Sequence, residues 1–223
     1  MGVVGDLYRD GRARITETLR GVDDSVARST TVPTCPAWTV ADTLAHVVGI
    51  PADILAGNVE GAATDPWTAA QVDARRDATI AELLDEWSTT APQIEGIIDD
   101  FGPTGVQLVF DLTTHEHDLR LALGLPALTD LPVHHAVTGF VFTRLGGEGE
   151  ALRVVSAGGT FVLGTGEPTA TVRAPLFDLL RAMSGRRSER QIRAMDWDGD
   201  PTPHLQKFAD GPFTMPADDI VEA

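Results

Sequence analysis

Apolar positions recur at helical spacing through the first half of the chain and at strand spacing through much of the second. Ile80, Leu83, Leu84, Trp87, Ala91, Ile94 and Ile98 step by three and four, which predicts an amphipathic helix in which Pro92 introduces a kink but not a stop. A first helix is expected from about Val3 to Leu19, with Val4, Leu7, Ile15 and Leu19 inward and Gly21 ending it. After a loop holding Pro33, Cys35 and Pro36, Thr39 is a good N-cap with Asp42 at the third helical position. A helix should therefore open there and run through Leu44, Val47 and Val48 toward Pro51. Another spans about Thr104 to Leu123, with Leu108, Leu112, Leu119 and Leu123 on one face, and Gly124 with Pro126 stops it. Four long helices in roughly 125 residues suggest a four-helix bundle.

The pattern then changes. A connecting helix is expected over Leu131 to Phe142, followed by a turn at Gly146-Gly147-Glu148-Gly149. Leu152 to Val155, Thr160 to Leu163 and Thr169 to Arg173 read as short strands separated by glycine turns. Pro175 to Met183 reads as a helix, and Ile192 to Trp197 as a further strand. The expected class is α+β, with a helical domain over residues 1–128 and a smaller α/β domain over residues 129–223.

Composition narrows the function. Seventeen basic against 33 acidic residues give a formal charge of −16, which repels nucleic-acid backbones and anionic membranes. The single cysteine, Cys35, excludes an intramolecular disulfide and a cysteine-only metal site and fits a reducing cytoplasm. No apolar run reaches the roughly 20 residues of a membrane span, and the N-terminus lacks a signal-peptide core. The expectation is a cytoplasmic protein acting on small molecules, without nucleic-acid or membrane partners. No Gly-x-x-x-x-Gly-Lys phosphate loop and no Gly-x-Ser-x-Gly nucleophile elbow occurs.

The sharpest chemistry lies in the helices. Asp111 and His115 are four residues apart, about 400° of helical rotation, so both project from one face. His46 on the helix opened by Thr39 would complete a set of two imidazoles and a carboxylate with an open coordination position. The same spacing is common on solvated polar faces, and spacing alone modestly favours that plainer account. Asp42 is set aside because the helix cap already explains it. Glu116 and His117 diverge around the helix, whereas Asp118 returns to the ligand face, either to orient a ligand or to pair with an arginine such as Arg120. Cys35 is either a reactive thiol or a packing residue, and His134-His135 reads as one packed and one exposed histidine. Arg186-Arg187 offers a carboxylate-binding pair or a solvated helix end.

Val32-Pro33-Thr34-Cys35-Pro36-Ala37-Trp38-Thr39-Val40-Ala41-Asp42 with Leu44 and His46, then His115 to Asp118 with Leu119-Arg120 and Ala122-Leu123-Gly124, resembles the mycothiol-dependent maleylpyruvate isomerase family. Val172-Arg173-Ala174-Pro175, Leu179-Leu180, Gly185-Arg186-Arg187 and Trp197-Asp198-Gly199-Asp200-Pro201 are similar to its smaller C-terminal domain. The resemblance implies a DinB-like four-helix bundle followed by a sterol-carrier-like α/β domain. It also implies a divalent metal, typically zinc, on His46, Asp111 and His115, with mycothiol as thiol cosubstrate. The chain departs from the family in one ligand, since Asp111 stands where the family usually has glutamate.

In the namesake reaction the thiol adds to a conjugated double bond, rotation follows, and elimination releases the isomer. An arginine of the C-terminal domain is expected to hold the substrate carboxylate, and Arg186 or Arg187 is the best match. The resemblance thus implies an isomerase or a thiol S-transferase acting on a small electrophile. The alternative is a non-catalytic metal- or small-ligand-binding module on the same scaffold.

Overall fold

A computed structural model describes residues 2–144, 148–209 and 213–222. The chain divides into two compact units, Met1–Ala127 and Leu128–Glu222. In the first, α1 (Val3–Leu19), α2 (Asp24–Ser29), a ribbon of β1 (Thr31–Val32) and β2 (Cys35–Thr39), α3 (Val40–Ala56), α4 (Asp65–Ala74), α5 (Ile80–Glu95) and α6 (Pro103–Ala122) follow in order. The four long helices close a ring in which α1 packs on α5 and α6, and α3 packs on the same two.

Local chemistry sets the starts of the helices that matter most. Thr39 accepts from the Asp42 amide while Asp42 accepts from the Thr39 amide, and Thr79 and Glu82 repeat the device at the head of α5. Each cap satisfies donors that the first turn leaves open. The α5 stripe turns inward as its spacing predicts, with Leu83, Trp87, Ala91 and Ile94 buried, and Pro92 lies inside the helix. Trp87 is 1% exposed, so truncating it to alanine should cost about 3–5 kcal/mol. In α1 the inward face is Gly5, Tyr8, Gly11, Ile15 and Leu19; Val4 and Leu7 are only half-buried. Gly5 lies against the Glu95 backbone carbonyl and Gly11 against the Leu112 side chain, so positions 5, 8 and 11 face inward while Ile15 and Leu19 keep their expected places.

Helix α6 departs most from expectation. Residues 112–119 are all buried, so its polar segment is interior and not a solvated edge. That is possible because α1, α3 and β1 all pack on it. Buried polar groups need partners, and Glu116 receives two bonds from Arg14 on α1, at 2.6 and 2.7 Å.

The second unit contains α7 (Pro132–Arg144), β3 (Glu150–Ser156), β4 (Gly159–Leu163), β5 (Thr165–Arg173), α8 (Leu176–Met183), α9 (Glu189–Arg193) and β6 (Asp196–Asp198). Its sheet has the order β4-β3-β5-β6, with β3 and β5 parallel and the other pairs antiparallel. The chain leaves β4 and starts β5 on the far side of β3, making the crossing at Gly164. There φ is +83°, and a β-carbon would lie 2.5 Å from the Gly149 carbonyl oxygen, so only glycine fits. The expected strand over Ile192 to Trp197 is corrected. Ser188 and Gln191 form a capping box that starts α9, Ile192 is its buried residue, and only Asp196–Asp198 is strand. The expected turn at Gly146-Gly147 lies outside the described residues. Among the described residues no helix is long and apolar enough to cross a membrane.

Candidate metal centre

His46 and Asp111 come from α3 and α6, two neighbours in the helical ring, and His115 lies one turn beyond Asp111. The fold brings one donor atom from each within 4.8 Å of the others. Asp111 lies between the imidazoles: one carboxylate oxygen is 3.6 Å from His46 Nε2 and the other 3.7 Å from His115 Nε2. The rings meet edge to face at 5.1 Å. Both histidines are buried, while the Asp111 side chain is 35% exposed and forms the solvent-facing edge of the set.

The ring nitrogens turned away from Asp111 are also engaged. His115 Nδ1 lies 3.1 Å from Asp118 Oδ2, and His46 Nδ1 lies 2.8 Å from Gln71 Oε1. Both carboxylates only accept, but Asp118 is within hydrogen-bond reach of Nδ1 at 3.1 Å while Asp111 is 3.7 Å from Nε2, so the geometry favours the neutral His115 ring with its proton on Nδ1 and its Nε2 lone pair toward Asp111. Asp118 is fully buried and accepts from the Cys35 thiol as well, at 4.0 Å. Cys35, His115 and Asp118 therefore form a second close grouping that shares one imidazole with the first. Trp38 of β2 covers both rings, with centroids 5.2 Å from His46 and 5.9 Å from His115.

Two imidazoles and a carboxylate suit zinc or another divalent transition metal. Bonds of about 2.0–2.1 Å in a tetrahedral shell set neighbouring donors roughly 3.3–3.4 Å apart. Each imidazole nitrogen lies slightly beyond that edge from its own Asp111 oxygen, at 3.6 and 3.7 Å, and one donor atom of each residue lies within 4.8 Å of the others, so the set is gathered near a metal's dimensions and needs a small closing shift to share one ion.

The other residues singled out in the sequence fall elsewhere. Asp42 is spent on its cap, and Glu116 on Arg14. His117 is buried in α6 and belongs to neither close grouping. His134 is buried against Phe177 at 5.7 Å while His135 is exposed. Arg186 and Arg187 belong to the second unit and are buried there, at 7% and 5% exposure. Arg187 bonds Asp178 and Glu222 at 2.8 and 2.7 Å and lies over the Phe177 ring, and Arg186 bonds the Ser184 carbonyl. Sequence reasoning missed Gln71 entirely. Its helix, α4, buries only Gln71 and Val72, so it carries almost no apolar periodicity by which to be found.

Comparison with known proteins adds to this. The family model described as the mycothiol maleylpyruvate isomerase N-terminal domain matches residues 8–137. No curated protein sequence matches the chain. Among solved structures, a mutant of the mycothiol-dependent maleylpyruvate isomerase aligns over 87% of this chain and 91% of its own, with a TM-score of 0.60 and 13% identity. A second crystal structure of that isomerase aligns over 83% of this chain and 89% of its own, with a TM-score of 0.53 and 15% identity. At such identity the likeness is one of fold, α+β in both cases.

Proposed function

The chain belongs to the mycothiol maleylpyruvate isomerase family, and from that premise we propose that it is a metal-dependent enzyme using mycothiol against a small electrophilic substrate. The observation that carries the reading is the convergence of His46 and His115 Nε2 on the two oxygens of Asp111. These three residues would hold the metal. A bound divalent cation such as zinc supplies Lewis acidity that favours thiolate over thiol at neutral pH.

The chain's own groups prepare the site for that chemistry. Asp118 keeps the His115 proton on the outer nitrogen, so the inner lone pair is available without reorganisation. Trp38 walls off the two imidazoles and lowers water access around them. The thiolate adds to one carbon of a conjugated double bond, and the electron pair moves onto the conjugated carbonyl oxygen. Rotation about the resulting single bond and expulsion of the thiolate then give the isomer. If the adduct is instead protonated and released, the outcome is S-transfer.

Elemental analysis of protein prepared without chelator tests the reading. Stoichiometric metal is expected in the parent and none in His46→Ala/His115→Ala, and negligible metal in both would sink it. A second reading, a non-catalytic binding module, draws support from the internal pairing of Arg187, which already satisfies Asp178 and Glu222. Metal-dependent turnover of any acid in a panel of electrophiles with mycothiol would eliminate it.

A further inference from the structure

We propose that Gln71, itself held by Asp53, is a positioning residue that fixes the tautomer of His46 and so turns its Nε2 lone pair toward Asp111. Gln71 is 2% exposed, and its amide makes two directed contacts. Its oxygen lies 2.8 Å from His46 Nδ1, and its nitrogen donates to Asp53 Oδ2 at 2.7 Å. Asp53 also accepts from Asn58 Nδ2 at 3.0 Å. An ionised carboxylate has no proton to give, so the Gln71 amide must present its NH2 to Asp53 and its carbonyl to the imidazole. A carbonyl oxygen only accepts, and it lies within hydrogen-bond reach of Nδ1 at 2.8 Å whereas the Asp111 oxygen is 3.6 Å from Nε2, so the neutral ring places its proton on Nδ1. A histidine free in water prefers the opposite tautomer, with the proton on Nε2. The relay therefore works against the intrinsic preference of the ring.

The surrounding chain is built for this contact. His46, Gly49 and Asp53 lie three and seven positions apart and share the stripe of α3 that faces α4. A β-carbon at Gly49 would sit 2.7 Å from Gln71 Cβ and 2.8 Å from its Cγ, so glycine is what lets α4 come close enough. Arg75, one turn after Gln71, donates to the Gln71 backbone carbonyl at 3.2 Å and clamps Glu86 of α5 through Nη2 at 2.5 Å and Nε at 3.0 Å. Helix α4 is thus fastened to α3 and to α5, with Gln71 aimed at the ring. His46 and His115 reach the same state by different means, an amide relay on one side and a carboxylate on the other. Using the His46 lone pair as a ligand rests on the metal reading above; the position of the proton does not.

The experiment is a long-range ¹H–¹⁵N correlation on histidine-labelled, chelator-stripped protein, at a pH where the ¹⁵N shifts themselves show the rings neutral. The parent should show His46 protonated on Nδ1 with a bare Nε2. Gln71→Leu, or the near-isosteric Gln71→Met if the first does not fold, should move the His46 proton wholly or partly to Nε2 while the His115 pattern stays. Gln71→Glu combined with Asp53→Asn reverses the polar roles of the pair and should restore the parent pattern. Zinc affinity should fall about 10–100-fold in the single variant and recover in the double. A parent ring protonated on Nε2, or an unchanged His46 pattern in the single variant, would overturn the proposal. The expected tautomers without zinc binding in any variant would support the proposal and overturn the metal reading instead.

Discussion

If His46, Asp111 and His115 form a zinc site, zinc should act as a staple on the helical unit, and the size of that effect can be worked out. The donors come from helices some 65 positions apart in the chain and are gathered only when α3 and α6 are packed, so an unfolded chain offers no comparable site. At a free zinc concentration 100 times the dissociation constant, binding to the native state alone adds about 2.7 kcal/mol. The unit spans residues 1–127, and at about 2.1 cal/mol/K per residue its unfolding entropy is roughly 0.27 kcal/mol/K. The ratio gives a rise of about 10 °C in the midpoint of that unit's transition. The assay is scanning fluorimetry or calorimetry of chelator-stripped protein titrated with zinc and then with excess chelator, which should reverse the shift. His46→Ala/His115→Ala should show no shift. Asp111→Asn, which keeps the shape and removes the charge, should show only a small one. A parent that does not respond, or an equal response in the double variant, would refute the reasoning.

Other expectations follow from particular contacts. Arg14→Leu leaves the buried Glu116 carboxylate without its guanidinium and should cost about 3 kcal/mol, while Arg14→Leu/Glu116→Leu should recover most of it; equal losses in urea melts would contradict the pairing argument. Tyr8 is held well above the ordinary tyrosine range, chiefly by burial and against a weaker opposing bond from Trp87. A raised folded value means that the native state keeps a proton the unfolded chain has lost. Stability should therefore fall as pH rises past about 10, and Tyr8→Phe should flatten that limb in denaturant melts. Gly49→Ala should destabilise the first unit by about 1–3 kcal/mol through its clash with Gln71, readable as a lower denaturation midpoint. Cobalt(II) should quench the Trp38 contribution to fluorescence, obtained as the difference from Trp38→Phe, and no quenching would place the ion away from the two imidazoles.

Much of the first unit was legible because its signals are local. The bounds of α1, the cap at Thr39 and the α5 stripe each rest on residues within a turn or two of one another. The His46, Asp111 and His115 set was legible as spacing, but only packing on three sides distinguishes an interior α6 from a solvated one, and no spacing encodes that. Helix α4 was hidden because it works through a polar contact. The α9 start was written in Ser188 and Gln191, a capping box within the sequence, and was overridden by the β-like run into Trp197. The parallel pairing of β3 with β5 depends on one crossing at Gly164, which no strand pattern reveals.

The ribbon of β1 and β2 divides labour within the site. It contributes Trp38 and Cys35, while the donors stand on α3 and α6. A chain arranged in this way can change what it admits by rewriting the exposed positions Pro33, Pro36 and Ala37, leaving the α3 cap at Thr39 and the Cys35–Asp118 contact in place. Descendants of one ancestor could then diverge in diet while inheriting the same chemical engine, and comparing ribbons would sort them by appetite more finely than comparing helices.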